Sequence, residues 1–258
     1  MTQKADSHTG GPETGEACAP QNPMATIRAS IPLRRNIPMM LSSFRRIART
    51  LFLRSLNRSD YARWTNPDSL ESWWETRTQR IATLIPKHSR VIEFGAGRRW
   101  LESYLDPSCS YIPSDLVDRG PGTIVCDLNK RPLPDLRHLR ADVAVFGGVL
   151  EYIRDLESVV EWLSQQVSFC VTSYAYAARA TGAAVGIRER LRRLYYGYMN
   201  NYTEEELVEL FSRRGLICAE KVTWDTQQIF LFVNQTTALE SQVATSGPSE
   251  GMRTGTEE

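Results

Sequence analysis

Residues Val91 to Gly97 read V-I-E-F-G-A-G, and this stretch decides the fold. Arg90, Val91 and Ile92 open a short apolar run of the kind that forms a buried parallel strand. Glu93 ends the run with a carboxylate, and Phe94 leads into Gly95 and Gly97. Gly95 can take a backbone conformation closed to other residues, and both glycines let a ligand approach the main chain with no Cβ between. Leu101 and Leu105, four apart, predict a helix over Arg98 to Leu105. Strand, acidic residue, glycine turn and helix make the first crossover of a doubly wound sheet, where ligands sit at the carboxyl ends of the strands.

A dinucleotide site needs Gly-x-Gly-x-x-Gly, its third glycine packing helix on strand. Trp100 holds that third position here. A carboxylate two residues before the first glycine, as at Glu93, suits instead a ligand carrying an ammonium. V-I-E-F-G-A-G resembles the first motif of the class I S-adenosylmethionine-dependent methyltransferases, a family that usually has a further glycine at the place of Arg99. A tight strand-to-helix turn with no ligand is the plain alternative.

Length and composition fit a soluble globular chain: 258 residues, 41% hydrophobic, net charge +1, enough for one domain with ends or two small ones. The five cysteines (Cys18, Cys109, Cys126, Cys170, Cys218) are scattered and never spaced Cys-x-x-Cys. That argues against a disulfide framework or a zinc site and for a reducing compartment. The N-terminal stretch has no apolar core of a secretory signal, and no apolar run approaches the ~20 residues of a membrane span. The expectation is a cytoplasmic protein with no metal. The near-neutral total hides an asymmetry: Met24 to Ser59 holds eight arginines and no acidic residue.

Residues 1–23 read as a disordered tail, with Met24 an alternative start; 24–64 read as a basic helical arm, and 236–258 as a second disordered tail. Within the arm, Met40, Phe44, Ile47, Leu51 and Ser55 fall on one helical face over 39–56. A basic amphipathic helix can meet an anionic membrane surface, hold an acidic substrate, or pack on the domain with a solvated basic face. Asn66, Pro67 and Asp68 predict the start of one helix running to Pro86, with Asp68 and Glu71 at capping-box spacing and Trp73, Trp74 and Arg77 along it.

Beyond the glycine turn, Ser110 to Pro113 predicts a second strand ending at Ser114 and Asp115, 22 residues past Glu93. An acidic residue so placed can accept hydrogen bonds from both ribose hydroxyls of a nucleoside, or simply cap a turn. Gly122 to Cys126 predicts a third strand, followed by Asp127 and Leu128, which resemble the family's acidic-apolar pair against adenine. Ala141 to Phe146 predicts a fourth, running into G-G-V-L-E-Y. This resembles the family's fourth motif, with Gly147, Val149, Glu151 and Tyr152 in its places; for Glu151 a structural role bonded to backbone is preferred. Val167 to Tyr174 predicts a fifth strand, and an insertion over 175–202 follows. Thr203 with Glu206 is a capping box, Gly215 ends the next helix, and Leu216–Trp224 pairs with Gln228–Val233.

The resemblance covers about 65–235 and implies an α/β fold: a doubly wound, mostly parallel seven-stranded sheet of order 3-2-1-4-5-7-6, its last strand antiparallel, with helices on both faces. It implies S-adenosyl-L-methionine as cofactor, bound by Glu93, Gly95, Ala96, Gly97, Asp115, Leu116, Asp127, Leu128, Gly147 and Val149. Catalytic residues are not legible, because methyl transfer needs mainly alignment of donor and acceptor; Glu151, Tyr152 and Tyr174 are the weak candidates. Absence of an Asn-Pro-Pro-Tyr-like motif after strand four, and of a Pro-Cys nucleophile, argues against nucleic acid and for a small-molecule or glycan acceptor. Tyr174, Tyr176, Tyr195 and Tyr198 suggest that the insertion is an acceptor lid, against a plain packing helix. A non-catalytic partner protein of the same fold stays open, and an NAD-dependent oxidoreductase is disfavoured.

Overall fold

The computed structural model describes residues 37–178 and 185–236. They fall in the compact unit Met39–Glu258; of the other unit, Met1–Pro38, only the start of one helix is described. The expected disordered tails, most of the arm before Ile37, and the tip of the insertion lie outside the described residues.

Seven strands form one sheet: β1 (Arg90–Phe94), β2 (Ser110–Asp115), β3 (Ile124–Val125), β4 (Val143–Gly147), β5 (Phe169–Tyr174), β6 (Leu216–Trp224) and β7 (Gln227–Asn234). Their order is β3-β2-β1-β4-β5-β7-β6. The pairs from β3 to β5 are parallel, and β7 runs antiparallel to both β5 and β6. The expected topology is therefore observed.

The strands are near-continuous apolar runs because helices cover both faces. Ile92, Phe94, Ala144 and Phe146 point to one face, against Val159, Val160 and Leu163 of α5 (Leu156–Ser164) and Leu207 and Phe211 of α7 (Glu204–Ser212). Val91, Val143, Val145 and Val171 point to the other, against Ile81 of α3 (Trp74–Ala82) and Leu101 of α4 (Trp100–Tyr104). Asp155 caps α5 through the Ser158 amide, and Thr203 with Glu206 closes the capping box of α7.

Three local expectations are corrected. The helix expected from Asn66 is broken: Asn66 caps a single 3-10 turn over Pro67–Ser69, and Leu70 is extended (φ −98°, ψ 93°) before α3 begins at Trp74. No Asp68–Glu71 capping box forms, because the Asn66 side chain takes the Asp68 amide first. Leu70 instead lies over the glycine turn, 3.6 Å from where a Cβ on Gly97 would stand. The helix after that turn starts two residues later than expected, at Trp100, because Arg99 is left-handed (φ 58°, ψ 30°). Third, packing on the domain, one of the three readings open for the amphipathic helix, does not hold for the face of α1 (Ile37–Ser55) that carries Phe44 and Leu51: they are 70% and 47% exposed, while Thr50 is buried.

The insertion is anchored, and its helix α6 (Ile187–Tyr196) is held by a buried cation. Arg193 is fully buried. Its Nε donates to Asn200 O at 3.1 Å and its terminal nitrogens to Ala175 O at 2.6 Å and to the Tyr174 hydroxyl at 3.2 Å. Asn200 in turn donates to the carbonyls of Leu150 and Ile153. Arg193→Ala strands these acceptors in the interior and is expected to lower the unfolding free energy by at least about 3 kcal/mol in urea denaturation. Arg192→Ala, half-exposed and paired with Glu189, should cost under about 1 kcal/mol. Equal losses would refute the anchor.

Candidate active site

A cavity opens at the carboxyl ends of β1, β2 and β4, with about 1210 Å³ of empty space when its mouth is included, somewhat above the roughly 300–1,000 Å³ of small-molecule sites. All ten sequence-predicted cofactor residues line it: Glu93, Gly95, Ala96, Gly97, Asp115, Leu116, Asp127, Leu128, Gly147 and Val149. Of the catalytic candidates Tyr152 lines it, while Glu151 and Tyr174 do not. Glu151 is buried with its Oε1 accepting from the Ala175 amide at 2.7 Å, the structural role preferred for it. Tyr174 is wholly buried, its hydroxyl donating to Asn200. The other insertion tyrosines, Tyr176, Tyr195 and Tyr198, also stand off the cavity, and the described insertion reaches it only through Gly197 and Met199. Tyr198 packs edge-on against Tyr152, ring centres 5.3 Å apart, and its own ring lies 4.8 Å from the Arg193 guanidinium behind the site.

The glycine turn keeps its shape without the further glycine. Gly95 (φ +75°) and Gly97 (φ +53°) are left-handed, and a Cβ on Gly95 would stand 2.4 Å from Val149 Cγ2. Arg99 takes the left-handed conformation that glycine would adopt freely. Its guanidinium holds it there through Glu102 and the Pro121 carbonyl.

Two carboxylates sit side by side at the strand ends. Glu93 Oε2 accepts from the Tyr111 hydroxyl at 2.6 Å. Burial pushes the Glu93 carboxyl up to about 8, with Asp115 adding to the rise and Tyr111 and Arg77 opposing it. Asp115 Oδ2 accepts from the Gly97 amide at 2.9 Å and Oδ1 from the Val117 amide at 3.2 Å. Arg119 Nε lies 3.2 Å from the same Oδ2 in an ion pair without hydrogen-bond geometry, and Arg119 donates to Trp64 O at 2.7 Å.

The arm builds a wall that the sequence did not announce. After α1, Asn57 to Asp60 lead into α2 (Tyr61–Trp64). The hydroxyls of Ser59 and Tyr61 donate to Asp127 at 2.6 and 3.0 Å. Asn129 donates to Ser59 and to Tyr152 O, and Asn57 to Asn129 O, 2.9 Å each. Thr50, Leu53, Asp60, Arg63 and Trp64 thereby line the cavity.

Arg77 is the functional candidate that the sequence reading left as one more residue of a helix stripe; the signal was a cation among Trp74, Ile81 and Leu84. It is 5% exposed and lines the cavity. One terminal nitrogen donates to Gly147 O at 2.8 Å and the other reaches Gln227 Oε1 at 3.4 Å, leaving Nε without a partner. Among the described residues it forms no ion pair. Trp74 and Trp224 flank the guanidinium at 5.3 and 5.7 Å, and burial lowers its pKa. The described residues contain no cluster of His, Cys, Asp and Glu that could hold a metal ion.

The raised Glu93 carboxyl carries a pH signature. The native state keeps a proton that the unfolded chain loses near 4.5, so folding is favoured most below that pH, and the advantage falls as pH rises to about 8. Glu93→Gln is expected to flatten this part of the stability–pH curve and to be the more stable protein above pH 8 in urea titrations; an unchanged slope would refute the assignment.

Comparison with known proteins places this geometry. A family model described as a methyltransferase domain matches residues 41–221. The fold is similar to mitomycin 7-O-methyltransferase MmcR, at 14% identity over 76% of this chain and 68% of that one, TM-score 0.52. It is similar to CalO1, a methyltransferase in calicheamicin biosynthesis solved with SAH bound, at 16% identity over 76% and 69%, TM-score 0.50. No curated protein matches the sequence. The glycine turn, the acidic strand ends and the seven-stranded order agree with the family match: the chain belongs to the methyltransferase-domain family, with the fold of class I S-adenosylmethionine-dependent methyltransferases.

Proposed function

We propose that this protein binds S-adenosylmethionine in the cavity at the strand ends and moves its methyl group to a small-molecule or glycan acceptor. The observation that carries the reading is the convergence of all ten predicted binding residues on one cavity. The donor set fits the cofactor group by group. Glu93 suits its ammonium and Asp115 its ribose, while Asp127 and Leu128 offer an acceptor and an apolar surface to adenine. Arg77, a buried guanidinium that forms no ion pair among the described residues and lines the same cavity as Glu93, suits the carboxylate of the same amino-acid tail. Gly95 leaves the main chain open where a side chain would intrude. That MmcR is a mitomycin 7-O-methyltransferase and CalO1 a methyltransferase in calicheamicin biosynthesis supports a small-molecule acceptor.

When bound, the sulfonium supplies an activated methyl carbon for in-line displacement. The chain's own task is to hold and align, worth up to ~7–11 kcal/mol, and to exclude water. The Ser59–Tyr61–Asp127 bonds close the arm over the adenine end, and Trp74, Trp100 and Val149 keep the cavity apolar. Tyr152 is the one catalytic candidate at the cavity, and burial pushes its hydroxyl up to about 12. At neutral pH it donates a hydrogen bond to an acceptor and does not take its proton. The insertion acts on the acceptor side through its Gly197–Met199 turn. The described residues include no helix long and apolar enough to cross a membrane; contact of the arm 24–59 with a membrane surface is part of the same reading.

A second reading, a non-catalytic partner protein, is favoured by one observation: Asp115 and Asp127 already accept bonds within the chain. Calorimetry separates the two. S-adenosylhomocysteine and 5′-methylthioadenosine should bind the wild type and NAD should not; binding of neither nucleoside would favour the partner protein. Gly95→Val should abolish nucleoside binding with the circular dichroism spectrum unchanged, and unchanged affinity would place the pocket elsewhere. Arg77→Gln should weaken S-adenosylhomocysteine about ten- to a hundredfold and leave 5′-methylthioadenosine, which lacks the amino-acid tail, unaffected. Equal loss for both would refute the carboxylate role.

A further inference from the structure

Helix α1 turns an apolar stripe to solvent. Leu41, Phe44, Leu51 and Phe52 are all exposed, Phe44 and Phe52 by 70% and 63%. Their spacing puts them on one side of the helix with Ala48 between them. Thr50 and Leu53, on the other side, line the cavity. Large apolar side chains gathered in solvent along one helix face point to an interaction site, and the charges around them say of which kind. The helix carries no acidic residue. Arg45, Arg46, Arg54 and the following Arg58 form no ion pair among the described residues, while Arg49 is matched by Asp60. Helix α6 meets α1 where Arg46 lies 5.2 Å from the ring centre of Tyr195, and it exposes Ile187 and Leu191 beside the exposed Arg188 and Arg190. Two copies of so basic a face repel each other, whereas an anionic surface attracts it.

We propose that α1 docks in the plane of an anionic lipid bilayer, its leucines and phenylalanines entering the acyl boundary and its arginines meeting the lipid headgroups. This gives the arm's proposed membrane contact a defined face and rests on that reading. Because the same helix is a wall of the cavity, the docked bilayer stands beside the site. The test uses the full chain and vesicles of phosphatidylcholine with and without phosphatidylserine. The wild type should sediment with the phosphatidylserine vesicles and hardly with phosphatidylcholine alone. The double variant Phe44→Ser, Phe52→Ser should lose at least about tenfold in partitioning while keeping its S-adenosylhomocysteine affinity, which reports an intact fold. Arg45→Gln with Arg58→Gln should weaken partitioning and lower its dependence on salt. Failure of the wild type to sediment, or equal sedimentation of the phenylalanine variant, would overturn the proposal. So would a wild-type dimer in sedimentation velocity that the variant abolishes without any vesicle binding, since the occupant would then be a second copy. Vesicle binding by a wild type that takes no S-adenosylhomocysteine would leave the docking standing and remove the methyltransferase reading.

Discussion

Two carboxylates buried side by side, Glu93 and Asp115, set the terms for the rest of the site. Adjacent strands β1 and β2 deliver both to the carboxyl edge of the sheet. Glu93 is not comfortable there alone, because burial penalises its charge and the neighbouring Asp115 adds to the cost. The chain resolves this unequally. Asp115 takes two backbone amides and the Arg119 ion pair, while Glu93 keeps one tyrosine hydroxyl and a strongly raised pKa. The same bonds shape the backbone: the Asp115 carboxylate fixes the Gly97 amide, so the glycine turn is set by its neighbour strand as well as by its own residues.

Arg119 extends that arrangement to the arm. It pairs with Asp115 and donates to the Trp64 carbonyl, while Ser59 and Tyr61 reach Asp127. Residues from before the first strand thus close a cavity made by strand ends. The closure is thus tied to the side chains of Asp115 and Asp127. The arm's two sides do different work: one is cavity wall, the other is the exposed stripe of α1.

The insertion shows how burial of polar groups dictates position. Arg193, Asn200 and Tyr174 satisfy one another and three carbonyls in the interior, and a buried network of this kind rigidifies only when its members are satisfied. Tyr174 and Tyr198 lie at that network, the Tyr198 ring 4.8 Å from the Arg193 guanidinium, and Gly197 and Met199 are the part of the described segment that faces the cavity.

The sequence by itself determined the strands and their order, and it named ten residues that the fold gathers around one cavity. Those signals are local: apolar runs for strands covered on both faces, glycines where the backbone must be left-handed, carboxylates at strand ends, and a family resemblance that fixes the order. Only the tertiary structure decided which side of α1 is exposed, since amphipathic spacing shows that a helix has an apolar face and not what covers it. Only the tertiary structure revealed Arg77 as a cavity cation and Arg193 as an anchor. An arginine is buried when carbonyls from remote segments converge on it, as Gly147 does for Arg77 and Ala175 and Asn200 do for Arg193, and such convergence is not written in the spacing of neighbours along the chain.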